Sequence, residues 1–176
     1  GTPDAPIVYR AEAKGTAVFY GGSWVSGFEP VKDQTVLARL PEESRGQVQQ
    51  ADLKMQGITD YGQLQVRGFS QPPSPPTLEL YCNERPMTLA RWPNQGFVDI
   101  KSLVAPGNRP KCEPSVIEYL DPRPARWTQA KDLWLFGYFR WLWADATIKI
   151  ARVDPKAKTL TSDQAYQYGN NSDLTM

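Results

Sequence analysis

The chain has 176 residues, of which 20 are basic, 19 are acidic and none is histidine, so its formal net charge is +1. A charge so close to zero gives no general attraction to nucleic acid or to anionic lipid. The absence of histidine excludes Ser-His-Asp and Cys-His catalysis and the histidine-based zinc sites. Two cysteines cannot build a four-cysteine zinc site.

Proline and glycine are frequent, with 16 and 13 copies, and they separate short apolar runs. This pattern favours short strands and loops over a helical bundle. The longest apolar run, residues 133–139, is far too short to cross a bilayer, so no membrane insertion is expected. No phosphate-binding loop or calcium loop is present, and no cofactor is expected. The sequence therefore predicts an all-β fold, a small barrel or sandwich of about ten short strands.

The first half of the chain predicts short elements joined by turns. Candidate strands cover 7–11, 16–20, 35–40 and 63–69, with a turn at 14–15. One helical turn is expected over 52–57, because Asp52 is a suitable N-cap and Gly57 suits the left-handed position that ends a helix. The proline-rich segment 72–76 is expected to be an extended connector.

The second half predicts two hairpins. The first joins 78–82 to 87–91 through a turn at 83–85, and the second joins 147–153 to 158–161 through a turn at 154–157. A further short strand is expected over 116–120, and a loop over 103–114.

The most informative local feature is an aromatic cluster. Six rings fall within ten residues: Trp134, Phe136, Tyr138, Phe139, Trp141 and Trp143. Indole faces stack on the apolar faces of sugar rings, and the neighbouring Arg140 and Asp145 could hydrogen-bond hydroxyl groups, so the cluster suits carbohydrate. The competing interpretation is a hydrophobic core, because aromatic side chains dominate cores. The rings stand at both even and odd positions, which point to opposite faces of an extended segment. Some rings are therefore expected to face the core, while others are exposed.

Two further groups are candidates for function. Arg91 and Trp92 stand at the end of a predicted strand, where they could line a cleft or could hold a turn by hydrogen bonds to backbone carbonyls. Asp132 and Asp145 flank the aromatic cluster and are the best-placed pair of carboxylates for glycoside hydrolysis, which depends on the distance between the two groups.

Cys82 and Cys112 could form a disulfide or stay as free thiols. Closing the loop between them would stabilise the fold by roughly 3–4 kcal/mol in the chain-entropy model. Free, buried cysteines are the alternative.

Several segments together resemble bacterial right-handed parallel β-helix carbohydrate-active enzymes. Residues 1–22 and 25–31 resemble the opening rungs, and 78–97 resemble the hairpin that follows. Residues 131–161 match most specifically, since they resemble the Trp-rich segment of the domain inserted into the β-helix of glycoside hydrolase family 141-like proteins. Residues 165–169 fit the return from that insertion. The chain departs from the pattern at Asn83-Glu84, where Asn-Gly is usual, so a turn other than type I′ is expected there.

The resemblance implies three parts: β-helix entry rungs over 1–24, an inserted barrel or sandwich domain over 25–165, and a return segment over 166–176. In such enzymes the proposed catalytic carboxylates lie on the β-helix that follows, beyond Met176. The resemblance therefore implies a non-catalytic accessory domain that shapes the polysaccharide cleft of a secreted or cell-envelope glycoside hydrolase. Its partners would be a polysaccharide and the rest of the β-helix.

Two alternatives from other classes stay open. The chain could be a free-standing carbohydrate-binding domain in which Trp92, Trp141 or Trp143 is a platform. It could also be a purely structural domain without a ligand. A complete hydrolase that uses Asp132 and Asp145 is a further, weaker hypothesis.

Overall fold

The computed structural model describes residues 1–69, 71–75 and 77–166. Backbone contacts divide the chain into two compact units, Gly1–Tyr61 and Gly62–Met176. The break falls inside the predicted 25–165 domain. The predicted return segment lies almost entirely outside the described residues, as does Pro76 of the proline-rich connector.

The first unit holds one small sheet and three short helical segments. Strands β1 (Glu29–Pro30) and β2 (Gln49–Gln50) are antiparallel, with Glu29 opposite Gln50. The helical segments are α1 (Gln34–Leu37) and two 3-10 helices, Glu42–Ser44 and Lys54–Gln56.

The predicted helical turn over 52–57 is confirmed. Asp52 accepts a hydrogen bond from the backbone N–H of Met55 at 3.0 Å, and Gly57 ends the 3-10 helix with a φ of 78°. Glycine fits this position because it has no Cβ to oppose the left-handed conformation.

The predicted strand over 35–40 is wrong, because the segment begins with helix α1. Asp33 is the N-cap of α1, and its carboxylate accepts the backbone N–H of Thr35 at 2.7 Å. This capping bond satisfies a donor at the start of a helix, and it outweighs the weak strand preference of Thr35 and Val36.

The predicted β-helix-like segment over 1–24 is not confirmed, because that range contains no strand. Its regular features are a bridge between Thr2 and Ala5 and the predicted turn at 14–15, in which Thr16 donates to the carbonyl of Ala13. A strand needs a hydrogen-bonded neighbour, and neither 7–11 nor 16–20 pairs with another segment as a strand.

The second unit is built on a six-stranded sheet that is antiparallel throughout. Its strands are β3 (Arg67–Gly68), β6 (Ile100–Ala105), β7 (Val116–Tyr119), β8 (Trp134–Gly137), β9 (Ala146–Asp154) and β10 (Thr159–Ser162). A separate hairpin joins β4 (Tyr81–Cys82) to β5 (Arg85–Pro86). Two 3-10 helices, Arg109–Lys111 and Arg123–Trp127, lie in connections.

The long strand β9 organises this sheet. Its first half pairs with β8 and with β3, and its second half pairs with β10, which continues to β7 and β6. Strands β8, β9 and β10 follow one another through hairpins, whereas β7 reaches β8 by a longer connection and lies beside β10. This is the Greek-key arrangement.

The all-β fold class is confirmed, whereas the barrel is not. Among the described residues, no sheet closes into a barrel, because β6 and β8 stand at opposite ends of the sheet and do not pair. The strands predicted over 116–120, 147–153 and 158–161 are present as β7, β9 and β10. The loop predicted over 103–114 is partly wrong, since β6 extends to Ala105.

The hairpin between β4 and β5 corrects the expectation for its turn. Asn83 and Glu84 have φ values of 50° and 63°. Two central residues with positive φ are what a type I′ turn requires, so this turn forms without the usual glycine.

The sheet buries one face. Ala146, Ile148 and Ile150 alternate along β9 and are all buried. Ile150 belongs to one core cluster, together with Ile117, Tyr119 and Leu160. Ala146 and Ile148 belong to the other, together with Phe139 and Tyr166. The opposite face is accessible, as expected for an antiparallel sheet covered on one side. No helix of the described residues is long and apolar enough to span a bilayer.

Candidate functional site

The aromatic cluster lies on the β8–β9 hairpin, and the loop that closes this hairpin covers residues 138–145. Of the six rings, only that of Phe139 is buried, where it packs against Tyr166 at 5.7 Å between centroids. The cluster is therefore divided between core and surface, as expected from rings at both even and odd positions. The interpretation that it is mainly core is wrong.

The two tryptophans of the loop form a paired aromatic surface. Trp141 is 42% exposed and Trp143 is 61% exposed. Their ring centroids are 6.4 Å apart, and the ring planes differ by only 14°. The two indoles stack on each other, and because both remain accessible, their outer surfaces offer apolar area of the kind that a sugar ring can cover.

Neighbouring side chains hold this pair in place. Phe69 packs edge-on against Trp143, with 4.8 Å between centroids, and its backbone N–H donates to the carbonyl of Asp145 at 3.3 Å. The guanidinium carbon of Arg140 lies 5.2 Å from the ring centroid of Trp141, within cation–π range. We call Phe69, Arg140, Trp141 and Trp143 the loop surface.

Tyr138 and Asp145 stand at the two ends of the loop. Tyr138 is partly exposed and packs on Phe97 at 5.8 Å between centroids. Asp145 is half-buried, immediately before β9. Both candidates are close to the loop surface in sequence, since Tyr138 directly follows β8 and Asp145 directly precedes β9.

Arg91 and Trp92 form a separate group. The guanidinium of Arg91 donates to the carbonyls of Pro93 and Gly96, so it holds the turn between them. Trp92 is half-buried and packs edge-on against Trp127, 5.7 Å between centroids. These contacts are those of a turn that is held in place, and they favour the structural interpretation of this pair.

The sheet register separates the two candidate catalytic carboxylates. Asp132 pairs with Lys149 at 3.3 Å, and Trp134 lies opposite Lys149. Asp132 is therefore level with Ala151, six residues along the chain from Asp145, or about 20 Å at the usual rise of a strand. Retaining and inverting glycosidases place their carboxyl groups about 5–10 Å apart. Asp132 and Asp145 consequently do not form such a pair.

The structure places both cysteines at the surface. Cys82 on β4 and Cys112, which ends a 3-10 helix, are free thiols and exposed, so neither a disulfide nor a pair of buried thiols is present. Within the described ranges, no group of three Cys, Asp or Glu side chains is arranged to hold a metal ion.

Sequence reasoning missed Phe69 and Phe97. Phe69 reaches the loop because β3 pairs with the start of β9, although about 80 residues separate the two strands. The alternation over 63–69 was the only signal at Phe69, and it does not identify a partner strand.

Comparisons with protein-family models, with curated proteins and with solved structures find no match to this chain. The resemblance to β-helix glycoside hydrolases therefore stays a prediction, as do secretion and a polysaccharide partner.

Proposed function

We propose that the second unit binds carbohydrate and that the loop surface is the contact site. The observation that carries this proposal is the pair of parallel, accessible indoles at Trp141 and Trp143. Apolar rings at a surface are costly unless a ligand or partner covers them, and grouped exposed rings are typical of binding sites.

The surrounding groups support a sugar ligand over an apolar one. The guanidinium of Arg140 beside Trp141 provides N–H donors for hydroxyl or ring oxygens. Nucleic acid, which also stacks on aromatic rings, is disfavoured because its binding draws on a positively charged groove, and the net charge of the chain is only +1.

Replacement of Trp143 tests the proposal. We expect Trp143→Ala to weaken glycan binding at least about tenfold, a loss of about 1.4 kcal/mol, because a stacking ring is removed. The measurement is isothermal titration calorimetry, with ligands taken from an array of plant, algal and bacterial polysaccharides. Trp143 is largely exposed, so its replacement should leave the unfolding midpoint nearly unchanged.

Leu142 supplies a matched control, because it stands between the two tryptophans in the sequence and is 64% exposed. Leu142→Ala removes a similar exposed apolar side chain without removing a ring, and it should retain affinity. Equal losses in the two variants, or no binding to any glycan of the array, would contradict the proposal.

A further inference from the structure

A row of rings runs along the outer face of β8. Successive side chains of a strand point to opposite faces. Leu135 packs on both core clusters, and Gly137 lies opposite the buried Ala146. Positions 135 and 137 are therefore on the inner face of the strand. Trp134 and Phe136 therefore face outward, and Tyr138 continues their alternation.

Phe97 widens this row from a different segment. Its ring centroid lies 5.9 Å from that of Phe136 and 5.8 Å from that of Tyr138. Phe97 follows the turn that Arg91 holds, so Arg91 acts as a positioning residue for this ring. Phe97, Phe136 and Tyr138 each remain about half exposed despite their mutual contacts, so together they form a surface and not a core.

Polar groups lie at the end of the row that is distant from the loop. The indole N–H of Trp134 donates to Asp132 at 3.0 Å. The ammonium of Lys149 lies 3.3 Å from the same carboxylate oxygen and 5.6 Å from the ring centroid of Trp134. The carboxylate can accept a hydrogen bond from a hydroxyl group of a sugar, and the ammonium can donate one to a hydroxyl oxygen.

The row and the loop surface are continuous along the chain. Four residues of strand from Trp134 to Tyr138 cover about 13 Å. Trp141 follows three residues later and is therefore at most about 11 Å from Tyr138, the full reach of three extended residues. The rings on β8 therefore add about 13 Å of aromatic surface to that of the loop.

We propose that Trp134, Phe136, Tyr138 and Phe97 extend the sugar site and that its ligand is an extended polysaccharide chain, several sugar units long. This inference rests on the proposed function of the loop surface. A polymer that lies across Trp141 and Trp143 has its continuation over β8, where rings face the apolar sides of successive sugars and the Asp132–Lys149 pair meets their hydroxyl groups.

Size-graded ligands test this inference on the full chain. The probes are disaccharides to octasaccharides of cellulose, xylan, mannan, polygalacturonate and laminarin, measured by calorimetry. For the glycan that binds, we expect affinity to rise about tenfold or more from disaccharide to hexasaccharide. Phe136→Ala should lower hexasaccharide affinity about fivefold and leave disaccharide affinity unchanged.

Val104 supplies the control, since it is 59% exposed on β6 at the other end of the same sheet. Val104→Ala should bind every ligand as the unchanged chain does. Phe97→Ala repeats the test from a segment outside β8, in case Phe136→Ala fails to fold.

The outcomes separate the two proposals. An affinity that does not depend on ligand length, or one that Phe136→Ala and Phe97→Ala leave unchanged for the hexasaccharide, contradicts the extended site and leaves the loop surface standing. Absence of binding to all these glycans contradicts both. A protein ligand that is captured through Phe136 and is not displaced by glycan also contradicts the extended site.

Discussion

Gly68 determines how closely β3 approaches β9. Its φ is 136°, and a Cβ at this position would lie 2.2 Å from the carbonyl oxygen of Asp145. The next residue, Phe69, packs against Trp143. A glycine on β3 therefore allows the close strand contact that brings an aromatic ring from a distant segment to the loop surface.

Substitution of Gly68 should damage both stability and the site. We expect Gly68→Ala to lower the free energy of unfolding by about 2–4 kcal/mol, because the new Cβ must displace backbone atoms of β9. Urea denaturation measures this change. Glycan affinity should also fall, since Phe69 moves away from Trp143.

Gly96 is the control for backbone strain alone. Its φ is 68°, but no atom lies within 4 Å of the position that a Cβ would take. Gly96→Ala should therefore cost only about 1–2 kcal/mol, the usual penalty for a left-handed L-residue. Equal losses at the two glycines would show that the close approach of β3 to β9 is not the cause.

Glu118 makes the stability of the sheet dependent on pH. Hydrogen bonds from Lys101, at 2.7 Å, and from Ser102 hold the pKa of its carboxyl below the ordinary value of 4.5. A group whose pKa is lowered by folding stabilises the fold above its unfolded pKa, and this contribution is lost as pH falls through the folded pKa.

Glu118→Gln should therefore reduce the loss of stability on acidification. Thermal unfolding between about pH 6 and pH 3 should show a smaller fall in midpoint for the variant than for the unchanged chain. Thr159→Ala, which replaces the residue opposite Glu118 on β10, retains the carboxylate and should follow the unchanged chain. Parallel curves for Glu118→Gln and the unchanged chain would contradict this account.

At the scale of elements, two buried serines join β7 and β10. The hydroxyl of Ser162 accepts the backbone N–H of Ser115 at 2.9 Å, and the two side-chain oxygens are 3.1 Å apart. Ser162 also donates to the carbonyl of Gln164 at 2.7 Å. These bonds satisfy the backbone N–H of Ser115 and the two hydroxyl groups at the point where β7 begins and β10 ends.

Ser162→Ala should destabilise the chain by about 1–3 kcal/mol, because the buried N–H of Ser115 loses its acceptor. Urea denaturation provides the measurement. Thr161→Ala changes the preceding, half-buried residue of β10 and should cost less than half as much. A loss at Ser162 no larger than that at Thr161 would show that the serine pair contributes little.

The sequence predicts best the elements whose signals are local. Strand β9 alternates apolar residues, and a turn that contains Pro155 joins it to β10, so the sequence predicts both strands. The short helix α1 was missed because a single capping bond from Asp33 outweighs the strand preference of Thr35. Residues 7–11 have strand composition, but they find no neighbour to pair with in the structure.

The residues of the candidate site likewise differ in whether local sequence predicts them. Trp141 and Trp143 were found from composition, because they are close in sequence. Phe69 and Phe97 were missed, because their places depend on pairing between distant strands and on a turn held by Arg91. Local sequence contains no signal for such contacts.

For the molecule as a whole, the first unit exposes apolar side chains that its own fold does not cover. Tyr9, Phe19 and Trp24 are each at least 75% exposed. All three lie in the range 1–24, which was predicted to form β-helix rungs but contains no strand. The β-helix origin of this segment stays a prediction.

The second unit separates its core from its exposed rings. One face of its sheet is buried in two core clusters, whereas the other face and the β8–β9 loop carry the exposed rings. The central claim is that a glycan covers these rings and leaves the other aromatic groups of the chain untouched.

The indole N–H signals of the six tryptophans in a nuclear magnetic resonance titration test this claim most directly. On addition of the oligosaccharide that binds, we predict that the signals of Trp141 and Trp143 shift and that Trp134 follows with the longer ligands. The signals of Trp92 and Trp127, which pack on each other, should stay in place, as should that of Trp24. Shifts confined to Trp24, Trp92 or Trp127 would contradict the account.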